Sequence, residues 1–182
     1  MRPFCVALLI ASLLIPSSAF AQAAAYPLTL VVDAQAKSAV TTITSKLTIQ
    51  VDRPMDDTYR GRVTDAFKHG GYPNFLNTLR TLPEIGSIQL EKRKVVIRYG
   101  REEKQETGRR LILVADRPLF FLGDTKPRAG YELTLVELRI DAKGGVTGTI
   151  SGAARVKPAP DGAVVLDNYA ETPAQLTGVR QP

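Results

Sequence analysis

Residues 41–51 alternate so regularly that few folds can accept them. Ile43, Ser45, Leu47, Ile49 and Val51 fall on one side of an extended chain, and Thr42, Thr44, Lys46, Thr48 and Gln50 on the other. Successive side chains of a strand point to opposite faces, so this pattern describes a strand with one dry face and one wet face. Ile88 and Leu90 follow the same rule, and Val95, Ile97 and Tyr99 resume it after the charged tip Lys92-Arg93. The two runs read as a hairpin. Residues 111–115 are apolar on both sides, which suits a central strand covered on both faces.

Residues 131–141 and 146–157 are two long runs joined by Ala142-Lys143-Gly144-Gly145, the strongest hairpin signal in the chain. The apolar phase of the first run slips between Leu135 and Val136, which calls for a bulge near Leu135 or burial of both faces. Residues 164–166 and 174–179 are shorter strands, and Pro158 to Gly162 form a turn. One segment departs from this pattern. Tyr59, Val63, Ala66 and Phe67 lie at helical spacing, as do Phe75, Leu76, Leu79 and Leu82. Between them, His69-Gly70-Gly71-Tyr72-Pro73 supplies a glycine stop and a proline start. The sequence therefore predicts a mainly β chain of about seven to nine strands. Its architecture is an antiparallel sandwich or a partly open barrel, with a short two-helix insert over residues 59–82 closing one end or face of the sheet.

The N-terminus constrains location. Arg2 is followed by an uncharged apolar run over residues 4–15 and then by Ala19-Phe20-Ala21, a small-x-small cleavage site. This order matches a signal peptide over residues 1–21. The run is too short for a membrane anchor, which needs roughly 20 apolar residues. A soluble mature chain starting at Gln22, periplasmic or secreted, is expected, with residues 22–182 forming one domain. Cys5, the single cysteine, leaves with the leader, so the mature chain has neither a disulfide nor a thiol nucleophile. The net charge of +6 is spread along the chain and interleaved with acids. Without a basic face bearing exposed aromatics, nucleic acid is not an expected partner. Weak attraction to anionic envelope surfaces is the most that such a charge supports.

Little points to catalysis. His69 is the one histidine, and Asp65 lies four residues before it, on the same helix face. The pair could act as an oriented base, but a histidine just before Gly70-Gly71 also suits a helix end, where cations are favoured. No serine sits in a nucleophile elbow. Asp52, Asp56 and Asp57 lack the glycine and glutamate of a calcium loop and read as a solvated turn. No metal and no cofactor is expected. Glu102, Glu103 and Glu106 lie among Arg101, Lys104 and Gln105 and read as a wet hairpin loop, where nothing would raise a carboxyl's pKa. Phe120-Phe121 is the more informative pair. In a strand the two rings face opposite sides, so one fills the core and the other meets the helices, a ligand or a partner.

The stretches GGYPNFLNTLR (70–80), VADRPLFFLG (114–123), GYELTLVELRID (130–141) and VLDNYAETPAQLT (165–177) resemble a set of small exported bacterial proteins without a settled activity. The resemblance implies a bacterial, exported, single-domain protein and transfers no site residue. Two function classes follow. The first is a non-enzymatic exported domain that binds a small apolar ligand or a cell-envelope partner, its pocket lying between residues 59–82 and the sheet and lined by Phe67, Phe75, Leu79, Phe120 and Phe121. The alternative is a periplasmic hydrolase using His69 with Asp65.

Overall fold

Nine strands and one helical segment are formed by residues 26–37, 40–121, 128–169 and 172–181, which the computed structural model describes. The expected leader at 1–21 and the lead-in at 22–25 lie outside the described residues. In chain order the elements are β1 (Leu28–Lys37), β2 (Thr42–Val51), α1 (Asp57–Thr81), β3 (Gly86–Leu90), β4 (Arg93–Gln105), β5 (Gly108–Ala115), β6 (Leu133–Asp141), β7 (Gly145–Pro158), β8 (Val164–Tyr169) and β9 (Ala174–Arg180). Every pairing is antiparallel.

Neighbouring strands run β6-β5-β4-β3-β2-β1-β9-β7, and β7 then pairs back onto β6. The result is a closed eight-stranded barrel, neither a sandwich nor a partly open barrel. The long strand β7 makes the closure. Its first half holds β9 through Gly145 to Ile150, and its last residues, Ala154 to Pro158, pair with β8 instead. β8 therefore branches off the barrel as a ninth strand.

Residues directly opposite each other in antiparallel strands share a face. The set containing Leu28, Leu30, Val32, Leu47, Ile49, Val51, Ile88, Val136, Leu138, Ile150 and Leu176 points into the lumen, and each of these is at most 2% exposed. A barrel of eight strands is at the size where side chains fill the interior or leave room for one small ligand. Here they fill it.

Strands β1, β2, β3 and β9 present a mostly polar outer face, as their alternation requires, with the opposed Val31 and Val179 as its apolar spot. β5 differs, because Leu111 to Ala115 is buried on both sides. The outward residues Tyr99, Ile112, Val114, Leu135 and Ala154 are covered, and α1 is the element that packs against β4 and β7 there. α1 thus closes a face of the barrel wall through Val63, Phe67, Phe75, Leu76 and Leu79. It breaks at Gly71 (φ 60°, ψ −155°), between the glycine stop and Pro73, so the helical stretch is two helices set end to end, beginning two residues before the sequence indicates. Asp56 caps it by accepting the Thr58 amide at 2.7 Å.

The phase slip in β6 has one of the two expected causes, burial of both faces; the bulge is there, but its extra residue belongs to β7, where Ser151 and Ala154 oppose Leu135 and Leu133. The register shifts between Leu133 and Leu135, and residues 133–136 are buried on both faces. The turn before β7 is held by Asp141, whose carboxylate accepts the amides of Lys143 at 2.8 Å and Gly145 at 2.9 Å. The expected wet loop at Glu102 and Glu103 is not there. β4 bulges between Ile97 and Tyr99 and continues to Gln105, leaving only Glu106 on an exposed turn. Glu102 accepts from Tyr26 Oη at 2.7 Å and pairs with Arg109 at 3.1 Å, while Glu103 pairs with Arg101 at 2.9 Å and Arg110 at 3.4 Å. Cross-strand ion pairing is what allows these charged residues to continue a strand.

Candidate functional site

Beyond Ala115 the chain leaves the sheet, so Phe120 and Phe121 do not stand in a strand as their alternation suggested. Pro118 has no amide to offer a ladder. The segment instead crosses the start of β6 and the middle of β7. The Leu119 amide donates to the Gly152 carbonyl at 2.6 Å, and Thr134 Oγ1 donates to the Arg117 carbonyl at 2.8 Å. Gly152 is required there, because a Cβ would collide with the Leu119 carbonyl oxygen.

This crossing creates a groove. Its apolar lining is Pro118, Leu119 and Phe120 with an edge of Val95, whose pairing opposite Ile88 turns its side chain toward the lumen, and its volume is about 480 Å³. A second hollow of about 480 Å³ adjoins it, lined by Arg80, Arg98, Asp116 and Arg117. The two share Arg80, Asp116 and Arg117. Together they carry the cations Arg80, Arg93, Lys94, Arg98 and Arg117 against the carboxylates of Asp116 and Glu132. The last turn of α1, the start and bulge of β4 and the crossing segment each contribute, so no local stretch of sequence reveals the cluster.

Both carboxylates are already engaged. Arg98 Nε donates to Asp116 Oδ2 at 2.7 Å, and the same guanidinium reaches the Leu82 carbonyl and Glu84. Glu132 accepts from Tyr72 Oη at 2.8 Å and from the Gly130 amide at 2.9 Å. Burial, reinforced by the bond to Glu132, pushes the Tyr72 phenol above its usual range. Arg93 donates to the Phe120 carbonyl. The side chains of Arg80, Lys94 and Arg117 have no hydrogen bond or ion pair among the described residues, and all three are exposed. The groove therefore joins an apolar floor to a net positive field.

The sequence-predicted site residues separate into two groups. Phe67, Phe75 and Leu79 lie in the core between α1 and the wall at 7%, 0% and 0% exposure, with the two rings stacked at 4.1 Å. Phe120 lines the groove, and Phe121 packs half-buried against the core near Gly152. His69 and Asp65 are both exposed, and the ring contact of His69 is Nδ1 to the Asp65 main-chain carbonyl at 2.9 Å. Asp52 accepts from Gln50, Asp56 caps α1 and Asp57 pairs with Arg60. Among the described residues no three metal-ligating side chains gather, and no helix is long and apolar enough to cross a membrane. Comparison with protein-family models, curated proteins and solved structures returns no match.

Proposed function

We propose that this chain is an exported, non-enzymatic binding domain whose ligand is a small amphipathic anion, held in the groove outside the barrel. The observation that carries this reading is one cleft with an apolar floor and an excess of cations. Pro118 and Phe120, both partly exposed over the buried Leu119, offer a surface for a hydrocarbon or ring, and Arg80, Lys94 and Arg117 have charge with no counterpart among the described residues. A binding site of this type combines apolar contact area with a few placed polar groups. The packed lumen supports an external site, since a ligand inside would have to displace close-packed side chains. Export rests on the basic, apolar and small-residue order of residues 1–21.

Calorimetric titration of the purified protein with octyl phosphate and octyl glucoside, which share a tail and differ in headgroup charge, tests the reading. The anionic amphiphile is expected to bind more tightly, and Arg80→Gln combined with Arg117→Gln to remove the difference. Equal binding of both amphiphiles would refute the electrostatic half, and absence of binding by either would refute the whole.

A further inference from the structure

Among the described residues Asp116 is the one buried carboxylate in this cleft, and its two oxygens have different surroundings. Its side chain is 10% exposed, with Oδ2 held by Arg98 Nε at 2.7 Å. Oδ1 is buried and has no hydrogen-bond partner among the described residues. Buried acceptors are nearly always matched, so an orphan at the wall of a binding cleft points to a donor supplied from outside. Asp116 walls both hollows. Oδ1 itself is covered, so a ligand reaches it only through a turn of the carboxylate, and the last torsion of an aspartate is broad and roughly two-fold. Arg98 is the positioning residue that holds the carboxylate at this wall.

The surroundings restrict which donor fits. A metal ion or an ammonium group would meet Arg80, Arg98 and Arg117 at close quarters, and like charges repel. A bare anion such as sulfate or a phosphodiester suits the arginines but sets an oxygen against Asp116 with no proton between them. Hydrogen phosphate and the monoanion of a phosphomonoester satisfy both requirements: their unprotonated oxygens accept from arginine, and their P–OH donates to the carboxylate. Resting on the proposal that the groove takes an amphipathic anion, we infer that its polar end selects a protonated phosphate group and that Asp116 reads the proton.

The test compares inorganic phosphate with sulfate, and octyl phosphate with octyl sulfate, at matched ionic strength and mildly acidic pH. Phosphate is expected to bind roughly tenfold more tightly than sulfate in each pair, the factor that one unmatched buried acceptor implies. An amide can donate where a carboxylate cannot, so Asp116→Asn is expected to admit sulfate and close the gap. If that variant does not fold, the wild-type preference decides alone. The tighter of inorganic phosphate and octyl phosphate identifies a free anion or a lipid-like headgroup as the source. Equal affinity for phosphate and sulfate would overturn the inference while leaving the amphipathic-anion reading standing; failure of both octyl esters to bind would overturn the two together.

Discussion

Phe67 and Phe75 stack across the break in α1, with ring centroids 4.1 Å apart and planes 12° from parallel. Gly71 makes this possible: its φ of 60° and ψ of −155° turn the chain between the two rings, in a region essentially reserved for glycine. The two half-helices consequently present one continuous apolar face to the barrel wall.

Phe75→Ala removes a fully buried ring from that face. It is expected to cost about 3–5 kcal/mol in urea unfolding. Gly71→Ala meets no atom within 4 Å, so its cost is conformational alone, about 1–3 kcal/mol. A loss below 1 kcal/mol in both variants would mean that α1 is not docked as described.

Gly152→Ala tests whether the crossing segment builds the groove. The new methyl group would collide with the Leu119 carbonyl, which accepts no displacement without moving Leu119 and Phe120. The variant is expected to lose octyl phosphate binding while its far-ultraviolet circular dichroism stays that of the parent. Retained binding with the parent's affinity would separate the groove from this segment.

The ionisable groups predict a stability plateau with two edges. Burial, followed by bonds to Glu102 and Glu132, raises the phenols of Tyr26 and Tyr72 above their ordinary value, so folding favours their neutral forms. That stabilisation is complete below the unfolded phenol pKa of about 10 and is lost as pH rises beyond it. The amides of Thr58 and Ala163 hold Asp56 and Asp161 below their ordinary range, so their contribution is present above the unfolded carboxyl pKa and is lost as pH falls below it. Urea midpoints are expected to fall at both extremes, with Tyr72→Phe flattening the alkaline edge. An alkaline edge unchanged by Tyr72→Phe and Tyr26→Phe together would contradict this assignment.

How much of this was legible beforehand depended on the range of the interactions involved. β2, the 142–145 turn and the Gly70-Gly71 break are local features, and their residues announce them. Leu28, Leu30, Val32, Ala34 and Ala36 alternate as clearly as β2 does, and this pattern was the available signal for β1. Closure of the barrel depends on β7 pairing with both β6 and β9, a long-range choice that alternation alone does not encode. Glu102 and Glu103 resembled a loop because their partners Tyr26, Arg109 and Arg110 are supplied by another strand and by the segment just before β1. The cationic groove was hidden for the same reason, since Arg80, Arg93, Arg98 and Arg117 meet only when α1, β4 and the segment after β5 are in place.

The central claim is that the ligand sits outside a filled barrel, and amide chemical shifts of the labelled protein titrated with octyl phosphate test it directly. The account expects saturable shifts at Lys94, Arg117, Leu119 and Phe120, with Leu47, Ile49 and Ile88 of the lumen unmoved. Shifts concentrated at those lumen residues, with the groove silent, would contradict it.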